Sequence, residues 1–440
     1  MLPDKKTHGF VIDSDRCQGT MSCMRACPTQ AIRVKHGKAH LLQEQCIDCG
    51  VCLSLCPNDA ISATTLSFEE LDKFKFKVAV PSPVLFTQFA NTDTPDMVGR
   101  ALLDLGFDAV WDYSVDIELI NRAIRDCMRD WNGPFPLISS SCPVVVRLVQ
   151  VAYPTMVEQL LPIDAPREIA GREIKRKYSK KLGLKPEEIA AIYITPCQAK
   201  TISILEPAEE VKSYLDGAVG ISDIYNDILF TIRRFEDVEI PPERIFGSDE
   251  IFRWGNPEGE FHNLSSTHYL PLTGLSDIIS VFDDIEKGKI RNVEFLECHA
   301  CQGGCIGGNL TVENIYVARA KKMHLIAAVP PSSKDFNEEV ERRYSMEDFA
   351  LRAPLRPRSL DDGILDLRER VNRKKRSNDI MNILPSLNCG LCGAPRCKDH
   401  AEDVGAQKAE LKDCVFVSDD RIKTLKKYYF SQKYPSSPSK

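Results

Sequence analysis

From about Phe74 onward, short unbroken apolar runs alternate with longer stretches in which apolar residues recur every three or four positions. Phe74–Val80 reads as a strand running into Pro81-Ser82-Pro83. A helix follows, with Thr94 as N-cap, Pro95 at its first position, and Met97, Val98, Ala101, Leu102 and Leu105 on one face. Next come a strand at Ala109–Trp111, a helix over 115–130, a strand at Leu137-Ile138, and helices through 145–182. The series continues with a strand at Ala191–Ile194, a helix from Ser222 to Phe235, and strands at Val293–Leu296 and Leu325–Val329. Such alternation predicts an α/β domain with a largely parallel sheet, whose ligands bind beyond the carboxyl ends of the strands.

Both flanks of this domain break the pattern. Residues 11–63 contain an internal repeat of about 29 residues, bordered by short apolar strands at Gly9–Ile12 and Ala31–Val34. Residues 351–378 read as a linker and an exposed helix, opened by Pro354 and Pro357 and carrying the solvated basic run Arg373–Arg376. The expected division is 1–72, 73–350, a linker and helix over 351–382, a small module over 383–418, and a frayed tail over 419–440. At 440 residues the length fits about three domains.

Composition changes this picture only through cysteine. A net charge of −6 gives no reason to expect nucleic acid or an anionic membrane as partner. No run is apolar for long enough to span a bilayer, and Met1–Lys6 has no signal-peptide pattern, so the expected location is the cytoplasm. Seventeen cysteines in that reducing compartment argue for metal sites over disulfides. Sixteen fall into tight groups. Cys127 stands alone in a helical pattern and reads as a small buried hydrophobe.

The second copy of the repeat is Cys46-Ile-Asp-Cys49-Gly-Val-Cys52-Leu-Ser-Leu-Cys56-Pro57, a full C-x2-C-x2-C-x3-C-P run. In two-cluster ferredoxins three cysteines of such a run hold one 4Fe–4S cluster and the fourth ligates the other. Zinc fits less well, since its sites use two separated pairs. The first copy, Cys17-Gln-Gly-Thr20-Met-Ser-Cys23-Met-Arg-Ala-Cys27-Pro28, puts Thr20 at the second ligand position. One cluster then has Cys17, Cys23 and Cys56, with Thr20 as an oxygen ligand or a 3Fe–4S core. Its neighbour has Cys27, Cys46, Cys49 and Cys52. The segment fits a small ferredoxin-like α+β fold. Near the other end, Cys389-Gly-Leu-Cys392-Gly-Ala-Pro-Arg-Cys397 is completed by Cys414, with a helix expected from Cys397 to about Lys412. This module resembles the small 4Fe–4S domains of corrinoid iron–sulfur proteins and membrane-coupled electron carriers, with a zinc knuckle as the alternative.

Three further groups sit at predicted strand ends: Ser139-Ser-Ser-Cys142-Pro143, Thr195-Pro-Cys197-Gln-Ala-Lys200 and Glu297-Cys298-His299-Ala-Cys301-Gln-Gly303-Gly304-Cys305. Gly303 and Gly304 let the backbone curl so that Cys301 and Cys305 reach one compact object, which Cys142 and Cys197 are placed to complete. These motifs, in this order, resemble Thr-Ser-Cys-Cys-Pro, Met-Pro-Cys-x-x-Lys and Glu-x-Met-x-Cys-x-x-Gly-Cys of the iron-only (FeFe) hydrogenases. The resemblance covers residues 10–325. It implies an H-cluster: a 4Fe–4S cube on Cys142, Cys197, Cys301 and Cys305, bridged by Cys305 to a two-iron centre with CO, cyanide and a bridging dithiolate. It also implies that Lys200 pairs with one cyanide and that Pro81 and Ser82 hold the other.

Several positions depart from the family. Ser141 stands where the family has its proton-delivering cysteine, and a hydroxyl relays protons poorly beside a thiol of pKa about 8.5. The acidic residues of the preceding helix are replaced by Asn121, Arg122 and Ile124, and the relay serine by Leu161. Thr195 and His299 replace the methionines packed against the two-iron centre. Of the Phe-Gly-x-Thr-Gly-Gly segment only Ile245-Phe-Gly-Ser248 remains. This combination is similar to the sensory branch (group D), which implies slow H2 ⇌ 2H⁺ + 2e⁻ turnover in an anaerobe and a role in H2 or redox sensing. Implied partners are H2 and protons, a redox protein such as ferredoxin, hydrogenase maturases and a signalling partner. The alternative is an electron-transfer iron–sulfur protein or subunit that keeps the cube without the two-iron centre.

Overall fold

In the computed structural model, residues 8–91, 93–209, 211–235, 248–255, 257, 259–260, 268–328, 333–358 and 367–417 are described. The chain forms two compact units. One comprises residues 1–10, 47–50 and 63–358, and the other 11–46, 51–62 and 359–440.

The first unit is α/β with parallel sheets, as expected, and there are two of them among the described residues. Ala109–Val110, Phe76–Pro81, Ile189–Thr195 and Gly217–Gly220 form a four-stranded sheet in that order. Tyr269–Thr273, Phe295–His299 and Leu137–Ile138 form a three-stranded one. Every residue of Ile189–Thr195 is buried, as an unbroken apolar strand must be when helices cover both faces of its sheet. Helix Pro95–Asp104 starts as expected, with the Thr94 hydroxyl accepting from Met97 N at 3.3 Å. Helix Ser114–Asp130 buries Ile117, Ile120 and Ile124 and leaves Cys127 half-buried rather than fully enclosed.

Leu325–Ala328 is not a strand. It ends helix Ile315–Ala328, and Val329 lies outside the described residues. A short apolar run is compatible with either state, and here no turn residue separates it from the helical stretch before it. What this topology positions is three strand ends: Leu137–Ile138 leads to Cys142, Ile189–Thr195 to Cys197 and Phe295–His299 to Cys301.

In the second unit, Ile32–Lys35 and Lys38–Leu41 pair antiparallel about His36 and Gly37, both with positive φ as a tight hairpin turn requires. Helix Leu367–Met381, expected to be exposed, packs on helix Cys397–Gly405 and buries Ser377 and Ile380. The latter helix stops at Gly405, short of Lys412, and residues 411–413 form a separate short turn. The tail from 418 onward lies outside the described residues.

Candidate metal centre

Cys142, Cys197, Cys301 and Cys305 line one small cavity in the first unit, together with Lys200, His299 and Gly304. Each arrives by a different local device. Cys142 precedes Pro143, the first residue of helix Pro143–Ala152. Cys197 is fixed by Thr195, whose hydroxyl donates to Cys197 O at 2.9 Å and accepts from Cys197 N at 3.3 Å. Cys301 and Cys305 are joined through Gly303 and Gly304, whose φ of +73° and +85° few other residues adopt. Cys298 points elsewhere: it is fully buried in the core and is not among the cavity's lining residues.

The four thiols are electrostatically unequal. Burial pushes the Cys301 thiol far up and Cys197 up, and neighbouring cysteines add to both. At Cys305 burial acts in the same direction but is outweighed by Lys200 and His299, which bring it down to about 6. Lys200 is nearly buried, with Nζ 3.2 Å from Cys305 Sγ and 4.0 Å from Cys197 Sγ. Burial lowers its pKa, yet Cys197 and Cys305 more than compensate and hold it protonated.

A buried knot of thiols with a fixed ammonium suits an anionic metal–sulfur group, because metal binding removes the protons that burial otherwise retains. His299, buried beside Cys305 with Nε2 committed to Glu297, offers a further polar contact through Nδ1. The residues present therefore fit the cluster implied by the motifs. Pro81 ends strand Phe76–Pro81, and Ser82 is buried behind it next to Tyr193.

Beside the cavity lies a group that sequence reasoning missed. The Glu260 carboxylate accepts from Ser139 Oγ at 2.6 Å and from Ser141 Oγ. Glu260, Glu297 and His299 are buried with ligand atoms within 4.8 Å of one another. Glu297 accepts from His299 Nε2 at 2.8 Å and from the half-buried Tyr269 hydroxyl. Burial, reinforced by Glu297, pushes Glu260 up to about 7. Asn121 is buried, with Oδ1 unpartnered. Only the glutamate at the start of the third motif signalled any of this. Of Ile245–Ser248, only buried Ser248 lies within the described residues.

The repeat carries its own symmetry. Ala31 N donates to Cys27 Sγ at 3.2 Å and Ala60 N to Cys56 Sγ at 3.3 Å, at equivalent positions of the two copies. Gly19, Met21 and Gln30 match Asp48, Gly50 and Asp59, all with positive φ. Burial pushes the Cys23 thiol up, and nearby Cys17 and Cys56 act in the same direction, so these three are neighbours. Cys27, Cys46 and Cys52 belong to the second unit. Cys49 lies in the first, at the wall of the central cavity. Thr20 is exposed. Thr20→Cys is expected to lower the potential of the cluster at Cys17, Cys23 and Cys56, since added thiolate charge disfavours reduction. An unchanged potential and paramagnetic-resonance signal would place Thr20 outside the ligand set.

Cys389, Cys392, Cys397 and Cys414 line a second small cavity, in the other unit. His400 joins them, buried, with neither ring nitrogen hydrogen-bonded. An imidazole left this way fits an acceptor-rich sulfide group better than an empty apolar hole.

Residues 75–228 and 258–309 match the family model for the iron-only hydrogenase large subunit, C-terminal domain. Residues 9–57 match a 4Fe–4S dicluster domain, and 384–416 an Fe–S cluster model. The chain is 25% identical over 267 residues to iron hydrogenase 1 of Clostridium pasteurianum, covering 51% of this chain and 46% of that protein. It is 22% identical over 380 residues to the NADP-reducing hydrogenase subunit HndD of Solidesulfovibrio fructosivorans, covering 68% and 64%. It thus spans about half to two thirds of their lengths. The structure of an [FeFe]-hydrogenase, HydA1 of Chlamydomonas reinhardtii, aligns with a TM-score of 0.46 at 17% identity, over 65% of this chain and 94% of the other.

Proposed function

We propose that this chain, whose residues 75–228 and 258–309 match the iron-only hydrogenase large-subunit model, interconverts H2 with protons and electrons slowly and serves in H2 or redox sensing. Cys142, Cys197, Cys301 and Cys305 would hold the cube of an H-cluster, with Cys305 at the bridge. When bound, that group supplies the H2 ⇌ 2H⁺ + 2e⁻ chemistry. The observation that carries the reading is Lys200, a buried ammonium 3.2 Å from Cys305 Sγ, which suits an anionic ligand.

The protein's own contribution is proton handling. Ser141, next to Cys142, donates to Glu260, which exchanges a proton near neutral pH because burial holds it at about 7. From Glu260 the buried Glu297 and the half-buried Tyr269 continue outward. A hydroxyl at the inner position makes this path slower than one starting from a thiol, which supports low turnover and a signalling role. Electrons would leave to a redox partner protein such as ferredoxin.

The second reading, a cube without the two-iron centre, is favoured by Thr195 and His299. The Thr195 hydroxyl is committed to the Cys197 backbone and the His299 ring to Glu297, where the family places methionines. Infrared spectroscopy after treatment with maturases separates the two. The expected result is a set of CO and cyanide stretches; their absence from protein with a full complement of cube iron would establish the second reading.

A further inference from the structure

The C-terminal cysteine site and the cysteine-bearing helix Ser22–Ala26 lie in the same compact unit, and the contact between them is built from several independent parts. Arg33 reaches across to Asp403 on helix Cys397–Gly405 with two parallel hydrogen bonds, Nε to Oδ2 at 2.5 Å and Nη2 to Oδ1 at 3.1 Å. The two side chains are only 6% and 11% exposed. Val34 N donates to Gly393 O at 2.9 Å. Gly393 has a φ of +81°, and a Cβ there would sit 2.1 Å from Val34 O, so this approach is closed to any other residue. Arg25 Nη2 donates to Cys389 O at 3.2 Å, and Arg396 Nη2 to Gln30 Oε1 at 2.8 Å. Gly390 lies against the fully buried Met24: a Cβ at Gly390 would be 3.1 Å from Met24 Cε.

The segment Cys389-Gly390 thus rests on the segment Cys23-Met24-Arg25, so one ligand of each cysteine set lies at the contact. Paired, buried Arg–Asp forks fix orientation as well as proximity, which a mere tether would not need. The two sets are otherwise far apart in sequence.

We propose that this contact makes the Cys389, Cys392, Cys397 and Cys414 site the electron terminal of the chain, coupled through Gly390 and Met24 to the site of Cys17, Cys23 and Cys56. The inference rests on both sites holding iron–sulfur clusters. The exchange is of single electrons: one site is oxidised by one electron as the other is reduced by one, with no bond made or broken and no proton moved. The outer reductant or oxidant is a one-electron carrier protein.

The test uses the full chain with its clusters reconstituted from iron and sulfide, reduced with dithionite and followed by paramagnetic resonance. In the unaltered chain the signals of the two sites are expected to be broadened by mutual magnetic interaction. Asp403→Arg places like charges in a buried contact and shifts it toward the open state by roughly a hundredfold or more. That variant should keep its iron and sulfide and lose the broadening. The reversed pair, Arg33→Asp with Asp403→Arg, should regain it. Broadening that survives Asp403→Arg, or that the reversed pair does not restore, overturns the inference. Absence of iron at the four C-terminal cysteines of the unaltered chain would be visible in the metal content, and would overturn the cluster assignment and the inference together.

Discussion

Glu260→Gln is expected to lower H2 turnover by roughly 10²–10⁴-fold, the usual contribution of a positioned acid–base group, in matured protein whose CO and cyanide bands stay in place. Glutamine keeps the shape, its carbonyl accepting from one serine hydroxyl and its amide donating to the other, so the loss isolates proton exchange from packing. The pH profile provides an independent check. Burial holds Glu260 at about 7, so the unaltered protein should show an inflection there that Glu260→Gln lacks. The sign for stability follows from the same shift. The folded chain keeps this proton to about 7 while the unfolded chain releases it in the ordinary carboxylate range, so stability falls as pH rises between the two. Glu260→Gln removes that dependence. Ser141→Cys should act the other way and raise turnover, because a thiol titrates far closer to neutrality than a hydroxyl, with Glu260 still available as its acceptor. Cys142→Ala should abolish the infrared signature altogether. Unchanged turnover and pH profile in Glu260→Gln would remove this residue from the proton path.

Arg147→Ala should destabilise the first unit by about 3–5 kcal/mol, the cost of leaving a buried charge unpaired. Asp48 is fully buried between Cys46 and Cys49, pairs with Arg147, and lies 3.1 Å from His8 Nδ1. It also accepts from Gly9 N at 3.0 Å, and its backbone carbonyl accepts from Gln198 Nε2 at 2.9 Å. Burial alone would raise the Asp48 pKa, but His8 and Arg147 overcome it and hold it below the ordinary value. Asp48 therefore contributes stability above its unfolded pKa of about 3.9 that is lost as pH falls through the lower folded value. Urea unfolding followed by near-ultraviolet circular dichroism measures both effects. Arg147→Met combined with Asp48→Ala should recover most of the loss, because no charge is then stranded. A single variant as stable as the parent would show that water reaches Asp48.

The cysteine spacings, the two-copy repeat and the strand–helix alternation were legible because each is set within about 30 residues by local spacing and apolar period. So were the strand ends that deliver Cys142, Cys197 and Cys301, since parallel strands collect ligands at their carboxyl ends. Tertiary structure alone decided the rest. Glu260 meets Ser141 across 119 positions, Lys200 meets Cys305 across 105, and Arg33 meets Asp403 across 370. A single glutamate in an irregular stretch carries no periodic signal, and its role comes from burial beside two serines. Leu325–Ala328 became helical, and Leu367–Met381 became a packed element of the C-terminal module, for the same reason. Local pattern limits what a segment can be, and the partner it buries against decides which of those forms it takes.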